Sequence, residues 1–258
     1  MKPGHFWRNR LLAAAIHFGL SLVIAVLAAA LVFGIWYPYP YREISGGREL
    51  FLLVVAVDVV MGPLLTLAVF NSAKPAKALG RDLLVIGLLQ LAALGYGLWT
   101  VSAARPVHLV FEIDRFRVVH AVDVPEPLLK LAPSELQSLP LTGPTLLSVR
   151  QFKDANESFS ATLAALQGAH LGGQPNLWQA YETAKPEVLA RARPLADLKS
   201  RFPASAGAID KALTAASTQP RPAQFISYLT LVGRQTFWTV LIDNRTAEII
   251  AFVPIDSF

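Results

Sequence analysis

Three stretches of this sequence are too long and too apolar for the core of an ordinary soluble domain. Residues 11–36 form a run of 26 with no Asp, Glu, Lys or Arg, and His17 is the one titratable group in it. Residues 50–70 are interrupted only by Asp58, and residues 83–104 carry no charge at all. About 20 apolar residues cross a bilayer core as a helix, so each run is long enough to span. Buried helices of soluble proteins rarely hold so many uncharged residues, and rarely three times in succession. The reading is therefore three transmembrane helices.

The first run invites a second reading as a cleaved signal peptide, because Lys2, Arg8 and Arg10 precede it. A signal core is only about 7–15 residues long, and apolar residues continue past Ala28-Ala29-Ala30 to Trp36, so the reading is a retained anchor. The prepilin-type Gly–Phe junction with its following glutamate is absent from the segment.

Charge sets the orientation. Cytoplasmic loops are enriched in Lys and Arg. The N-terminal tail offers Lys2, Arg8 and Arg10, and the loop between spans two and three offers Lys74, Lys77 and Arg81. The loop between spans one and two has only Arg42 and Arg48. That imbalance places the N-terminus in the cytoplasm and everything after span three outside. Phe6 and Trp7 fit the inner aromatic belt, and Trp36, Tyr37, Tyr39, Tyr41 and Trp99 the outer one.

The same division disposes of a nucleic-acid reading. The chain carries a net charge of +5, but residues 1–104 hold 8 Lys/Arg against 4 Asp/Glu, and residues 105–258 hold 15 against 14. The basic excess belongs to the apolar half, and the polar half lacks the basic stripe that a phosphate backbone requires. The chain has no cysteine, which excludes disulfide frameworks, zinc–thiolate sites, iron–sulfur clusters and thiol nucleophiles.

Residues 105–258 read as one α+β domain outside the membrane, following a membrane region at 1–104. Residues 107–112 and 116–122 have the composition of a β-hairpin about an Asp114-Arg115 turn. Prolines at 125, 127, 133, 140 and 144 break the chain into loops with a short helix near 134–137, and 145–151 is a third strand. Helices are expected at 155–169, 177–184, 186–192, 195–201 and 204–216. Strands at 226–232, 236–242 and 248–253 close the chain, joined by turns at Gly233-Arg234 and at residues 243–246.

Chemistry-bearing patterns are sparse. The five histidines have no metal-ligand spacing; His108 and His120 are placed to face each other across the first hairpin, as a structural pair rather than a metal site. There is no nucleophile elbow and no Gly-rich phosphate loop. Glu112-Ile113-Asp114 mimics the acidic triplet of metal-dependent sugar transferases, a pattern that arises readily by chance. No cofactor is expected.

The informative residue is Asp58. An ionised Asp at the centre of a transmembrane helix costs about 2.5–3.5 kcal/mol, so it should face protein. Counting inward at about 1.5 Å per residue, Ser21 and Tyr96 reach its depth and are candidate hydrogen-bond partners, while His17 and Gln90 share a lower level. Gly62-Pro63 follows. Pro63 has no N–H and crowds the Val59 carbonyl, so the helix should kink, with Thr66 bonding back to the Gly62 carbonyl. Asp58, Gly62, Pro63, Ser21 and Tyr96 are thus candidates for intramembrane packing or for contact with a partner's helix.

Several motifs in this order resemble the type IV pilin accessory proteins, which are similar to fimbrial assembly proteins encoded beside a major pilin. They are Trp36-Tyr37-Pro38 closing span one, the stretch from Asp58 to Leu67 in span two, and Ala104-Arg105-Pro106-Val107 with Phe111-Glu112-Ile113-Asp114-Arg115-Phe116 after span three. Leu139-Pro140-Leu141-Thr142-Gly143-Pro144 fits as well. The resemblance implies a non-catalytic inner-membrane protein whose partners are a type IV pilin and other pilus assembly proteins, with no catalytic residue to carry over. The competing expectation is a membrane enzyme modifying pilin or an envelope polymer, which would have to build its site from Asp114, His108 and His120. A sensor is a poorer fit, because the short cytoplasmic segments leave no room for an output domain.

Overall fold

The structure, a computed structural model, describes residues 3–216 and 221–258, with side chains from residue 7 onward. Lys2, and the Phe6 side chain assigned to the inner aromatic belt, lie outside the described residues. The chain divides into two compact units, one of Met1–Pro38 with Gly47–Ala103, the other of Tyr39–Gly46 with Ala104–Phe258.

The first unit holds three helices long and apolar enough to cross a membrane, Trp7–Trp36, Gly47–Val69 and Ala76–Ala103. They leave most of their leucines, isoleucines and valines exposed. A continuous apolar surface of that size is untenable in water, which marks a membrane-associated protein. The first and third helices each pack against the second and touch each other little. Glycines set the closeness of approach: a Cβ on Gly97 would run into Val54, one on Gly47 into the Tyr37 ring and one on Gly62 into the Gln90 amide. Tyr37, expected in the outer aromatic belt, is instead fully buried, and its hydroxyl donates to the Val101 carbonyl at 3.1 Å. A single aromatic residue thereby ties together the end of the first helix, the start of the second and the end of the third.

Two segments of these helices are wound as π-helix, Val32–Trp36 and Val57–Met61. The second lies immediately before Gly62-Pro63, where a distortion is expected, since the ring of Pro63 cannot be accommodated in an unbroken α-helical ladder.

The second unit is built on an eight-stranded mixed sheet. Its strands are β1 (Pro106–Glu112), β2 (Arg115–His120), β3 (Thr145–Val149), β4 (Trp178–Ala180), β5 (Arg193–Pro194), β6 (Ile226–Val232), β7 (Phe237–Asp243) and β8 (Ile249–Val253). The order is β4-β3-β1-β2-β6-β7-β8, with β5 beside β6. Neighbours pair antiparallel except β1 with β3 and β2 with β6. Among the described residues, the longer helices of this unit are α1 (Ala155–Leu166), α2 (Tyr181–Arg191), α3 (Leu195–Arg201) and α4 (Ala206–Ala216), of which α2, α3 and α4 pack on the strands.

Side-chain alternation splits the core by face. Leu109, Phe111, Leu229, Leu231, Val240 and Ile242 pack under α2 through Tyr181, Ala184 and Val188. Tyr228, Leu241, Ala251 and Val253 pack under α3 and α4 through Leu195, Leu198 and Ile209. Val110, Val119 and Leu147 close over Trp178. The segment Tyr39–Gly46 completes the first cluster. Ile44 is fully buried in it and Tyr41 meets the Phe252 ring edge-on at 5.8 Å. A segment expected to be a loop with belt tyrosines is part of this core.

The helix expected over 177–184 is not formed as such. Trp178–Ala180 pairs with β3, and α2 runs from Tyr181 to Arg191 straight through Pro186. His108 and His120 do not face each other: a bulge after Pro106 sets His108 opposite Val119 and His120 opposite Pro106.

Candidate functional site

The polar side chains inside the three-helix unit gather around Asp58. In a π-helical turn the carbonyl of residue i is matched with the N–H of residue i+5. For Asp58 that donor is Pro63, which has none. In the π register Gly62 N–H is matched with the Val57 carbonyl and not with that of Asp58. The Asp58 carbonyl is left without a backbone donor, and the Gln90 side-chain amide from the third helix supplies one at 3.2 Å. Gly62 makes this approach possible, because a Cβ there would overlap the Gln90 amide. Gly62, Pro63 and Gln90 thus act together: one residue removes a donor, one opens the space, and one fills the vacancy.

One turn further on, Thr66 is buried and its hydroxyl is hydrogen-bonded to His17 Nδ1 on the first helix. The expected bond back to the Gly62 carbonyl gives way to this contact between helices. Near the same end, Arg10 Nε donates to the Phe70 carbonyl at 2.6 Å, satisfying a carbonyl at the end of the second helix.

The Asp58 side chain itself is buried at 8% exposure, and its Oδ1 has no hydrogen-bond partner. It borders a cavity of about 180 Å³ together with His17, Ser21, Ala25, Gly87 and Gln90. Sequence reasoning brought Asp58, Ser21, His17 and Gln90 to adjoining levels, and all four line this one cavity. Tyr96 is the exception. It is 70% exposed and lies against Trp99 at 5.8 Å, on another face of the third helix. It does not meet Asp58.

In the sheet-containing unit, each group singled out from the sequence has a specific setting. His108 Nδ1 is 2.7 Å from the Thr145 hydroxyl, and its ring packs edge-on against Trp178 at 4.5 Å. Burial pulls its pKa down to about 4, so the imidazole is neutral. His120 Nδ1 pairs with Asp123 at 2.9 Å. Glu112 accepts from Arg117 at 2.6 Å and from Gly172 N–H at 2.8 Å, while the Gly172 carbonyl accepts from Trp178 Nε1 at 2.8 Å. Asp114 pairs with its neighbour Arg115 at 2.7 Å. The triplet therefore separates, Glu112 turning into the fold and Asp114 out of it. Among the described residues, no cluster of three or more His, Asp or Glu has the arrangement of a metal site.

The chain is 37% identical over 256 residues to the fimbrial assembly protein of serogroup I from Dichelobacter nodosus, covering 97% of this chain and 98% of that one. It belongs to the fimbrial assembly proteins. The serogroup E1 protein of the same organism is 36% identical over the same coverage. The protein of serogroups C1 and C2 is 43% identical over 121 residues, 45% of this chain and 92% of that relative. The family model for the fimbrial assembly protein FimB matches residues 5–46. In this member that stretch holds most of the first long helix, with His17, Ser21 and Tyr37, together with the partly buried Tyr41 and the buried Ile44. No solved structure matches the chain significantly.

The sequence reading missed two things here. Gln90 was placed by depth but not recognised as the donor that Pro63 makes necessary; a proline five residues after a buried acidic residue was the available signal. Nothing local marked Tyr37 as a buried tie between three helices.

Proposed function

We propose that this member of the family is a non-catalytic inner-membrane accessory protein that supports its cognate pilin in type IV pilus assembly, stability or dynamics. The observation that carries the reading is similarity to fimbrial assembly proteins along nearly the whole chain. Three helices with exposed apolar flanks support the membrane location. The charge asymmetry of the short loops supports a cytoplasmic N-terminus and a periplasmic sheet-containing unit. A pilin waiting in the membrane by its N-terminal helix, with its globular part outside, would then meet both units. A non-catalytic role is supported because His108 and His120 are each held through Nδ1, by Thr145 and Asp123, and Asp114 pairs with its neighbour Arg115.

Deletion with complementation is the test. Loss of surface pili and of pilin on deletion, restored by the wild-type gene, is expected; full piliation without the gene would overturn the reading. In the same strain His108→Gln, His120→Gln and Asp114→Asn should each restore pili wherever the protein accumulates. Failure of one of them at normal abundance would favour an enzyme. Reporter fusions after Gly47 and after residue 258 should give periplasmic signals and a fusion after Pro75 a cytoplasmic one.

A further inference from the structure

The cavity beside Asp58 is one end of a longer groove. A second cavity, of about 330 Å³, is lined by Ala13, Ile16, Thr66 and Leu83, and shares His17, Leu20 and Gly87 with the first. Together they run along the third helix from Leu83 to Leu94, about 16 Å or three helical turns at 1.5 Å per residue. The groove exists because the first and third helices each pack on the second and touch one another little. Its lining includes Ser21, Ala25 and Gly87, small residues of the kind that let a further helix approach closely within a bilayer. A Cβ on Gly87 would meet nothing within 4 Å. A side chain at this position would enter open space in the groove.

Asp58, on the floor of this groove, has an oxygen with no partner. In hydrocarbon such an acceptor is costly, and buried polar groups are normally satisfied. Ser21, His17 and Gln90 line the same cavity, yet none of them is hydrogen-bonded to that oxygen: Gln90 serves the Asp58 backbone carbonyl and His17 faces Thr66 through Nδ1.

We infer that the groove between the first and third helices receives the transmembrane helix of a partner in fimbria assembly, which presents a hydrogen-bond donor or cationic side chain to Asp58 at mid-membrane depth. The inference rests on the proposed membrane role and names the chemistry of the partner. The unpaired acceptor selects a donor-bearing helix over a wholly apolar one. The three-turn length and the small residues select a helix over a single lipid chain.

The test uses the full chain in lipid vesicles with synthetic 23-residue Leu/Ala transmembrane peptides as probes, one carrying a central lysine and one a central leucine, and energy transfer between labelled protein and labelled peptide as the readout. An interhelical hydrogen bond in a membrane is worth about 0.6–2 kcal/mol, so the lysine peptide should half-saturate at a concentration roughly 3- to 30-fold lower than the leucine peptide. Asp58→Leu should abolish that preference and Asp58→Glu retain it. Gly87→Leu should weaken binding of both peptides while leaving thermal unfolding unchanged, since it fills open space. Unchanged unfolding is also required of Asp58→Leu; if that variant unfolds early, the Gly87→Leu and Asp58→Glu results decide. Equal affinity for the two peptides, a preference that survives Asp58→Leu, or binding insensitive to Gly87→Leu would overturn the inference. So would self-association of labelled protein that the lysine peptide does not displace, which would assign the groove to a second copy. A strain carrying Gly87→Leu that pilates normally, where the deletion strain does not, would sink the groove while leaving the proposed function standing.

Discussion

Gln90→Leu should destabilise this protein only while Pro63 is present. The argument is one of donors. The Asp58 carbonyl takes its hydrogen bond from the Gln90 amide at 3.2 Å because the residue five positions on is a proline. Leaving a buried carbonyl unsatisfied costs about 1–3 kcal/mol, and measured interhelical bonds in membranes average nearer 0.6 kcal/mol. A loss of about 1 kcal/mol is therefore expected from Gln90→Leu alone. Pro63→Ala returns a backbone N–H. Whether the turn then keeps its π-helical winding or relaxes to α-helix, a donor reaches the Asp58 carbonyl, from residue 63 in the first case and Gly62 in the second. In that background Gln90→Leu should cost no more than about 0.3 kcal/mol of hydrogen bonding. The coupling energy of the double-mutant cycle should be about 1 kcal/mol, and packing changes next to Gly62 cancel because they occur in both backgrounds. The measurement is reversible unfolding of the purified full chain in mixed micelles, followed by circular dichroism. A Gln90→Leu penalty equal in the two backgrounds would refute the reasoning, since it would show that the amide contributes only its volume.

Two further outcomes follow from the geometry. Gly97→Leu drives a side chain into Val54; overpacking of this kind costs about 1–3 kcal/mol, and the same unfolding assay should show it, with Val54→Ala recovering a part. His108 titrates near pH 4 in the fold against an ordinary 6.5, because burial disfavours the imidazolium. The unfolded chain binds the extra proton between those values, so stability should rise with pH from 4 to 6.5 and be flat with respect to this group outside that window. The total is about 3 kcal/mol at 1.36 kcal/mol per unit; His108→Gln should remove that part of the slope, and an unchanged slope would assign it to other groups.

Local pattern carried the sequence reading as far as elements reach. β6, β7 and β8 stood out because aromatic and β-branched residues alternate between clear turns, and the long helices because charge is absent from them. What failed was set by distant contacts. β4 and β5, of three and two residues, are too short for any period to register, and they exist only because β3 and β6 offer edges. Pro186 falls at the start of the helix expected over 186–192, yet α2 runs through it from Tyr181 because Tyr181, Ala184 and Val188 hold one face against the sheet. Within the three-helix unit, counting residues gave depth but not direction. Gln90 and Gly97 are seven residues apart and share the inward face, whereas Tyr96, one residue earlier, is turned by about 100° and points out. Depth placed Tyr96 level with Asp58; helical phase removed it.

The inserted segment gives the last test, because it separates a linker from a structural part. Between the first and second long helices the chain has only the stretch from Tyr37 to Gly46 in which to turn, and Tyr39–Gly46 belongs to the sheet-containing unit. Ile44 is fully buried among Phe116, Leu231 and Val240, and a Cβ on Gly233 would collide with it. Truncating a buried Ile to Ala costs about 2–5 kcal/mol. A fragment of residues 104–258 lacks this side chain and that of Tyr41, and exposes the apolar surface they cover. It should therefore be less stable by at least the cost of Ile44→Ala in the full chain, and should bind a hydrophobic dye that the full protein's sheet-containing unit does not. Joining residues 39–46 to the fragment through a flexible linker should restore a cooperative melt, and the same joined segment carrying Ile44→Ala should not. If the bare fragment melts at the temperature of the joined one, the segment is a linker resting on a core that does not need it. The burial of Ile44 argues against that outcome, because a side chain enclosed on every side is a component of the packing and its removal leaves a hole.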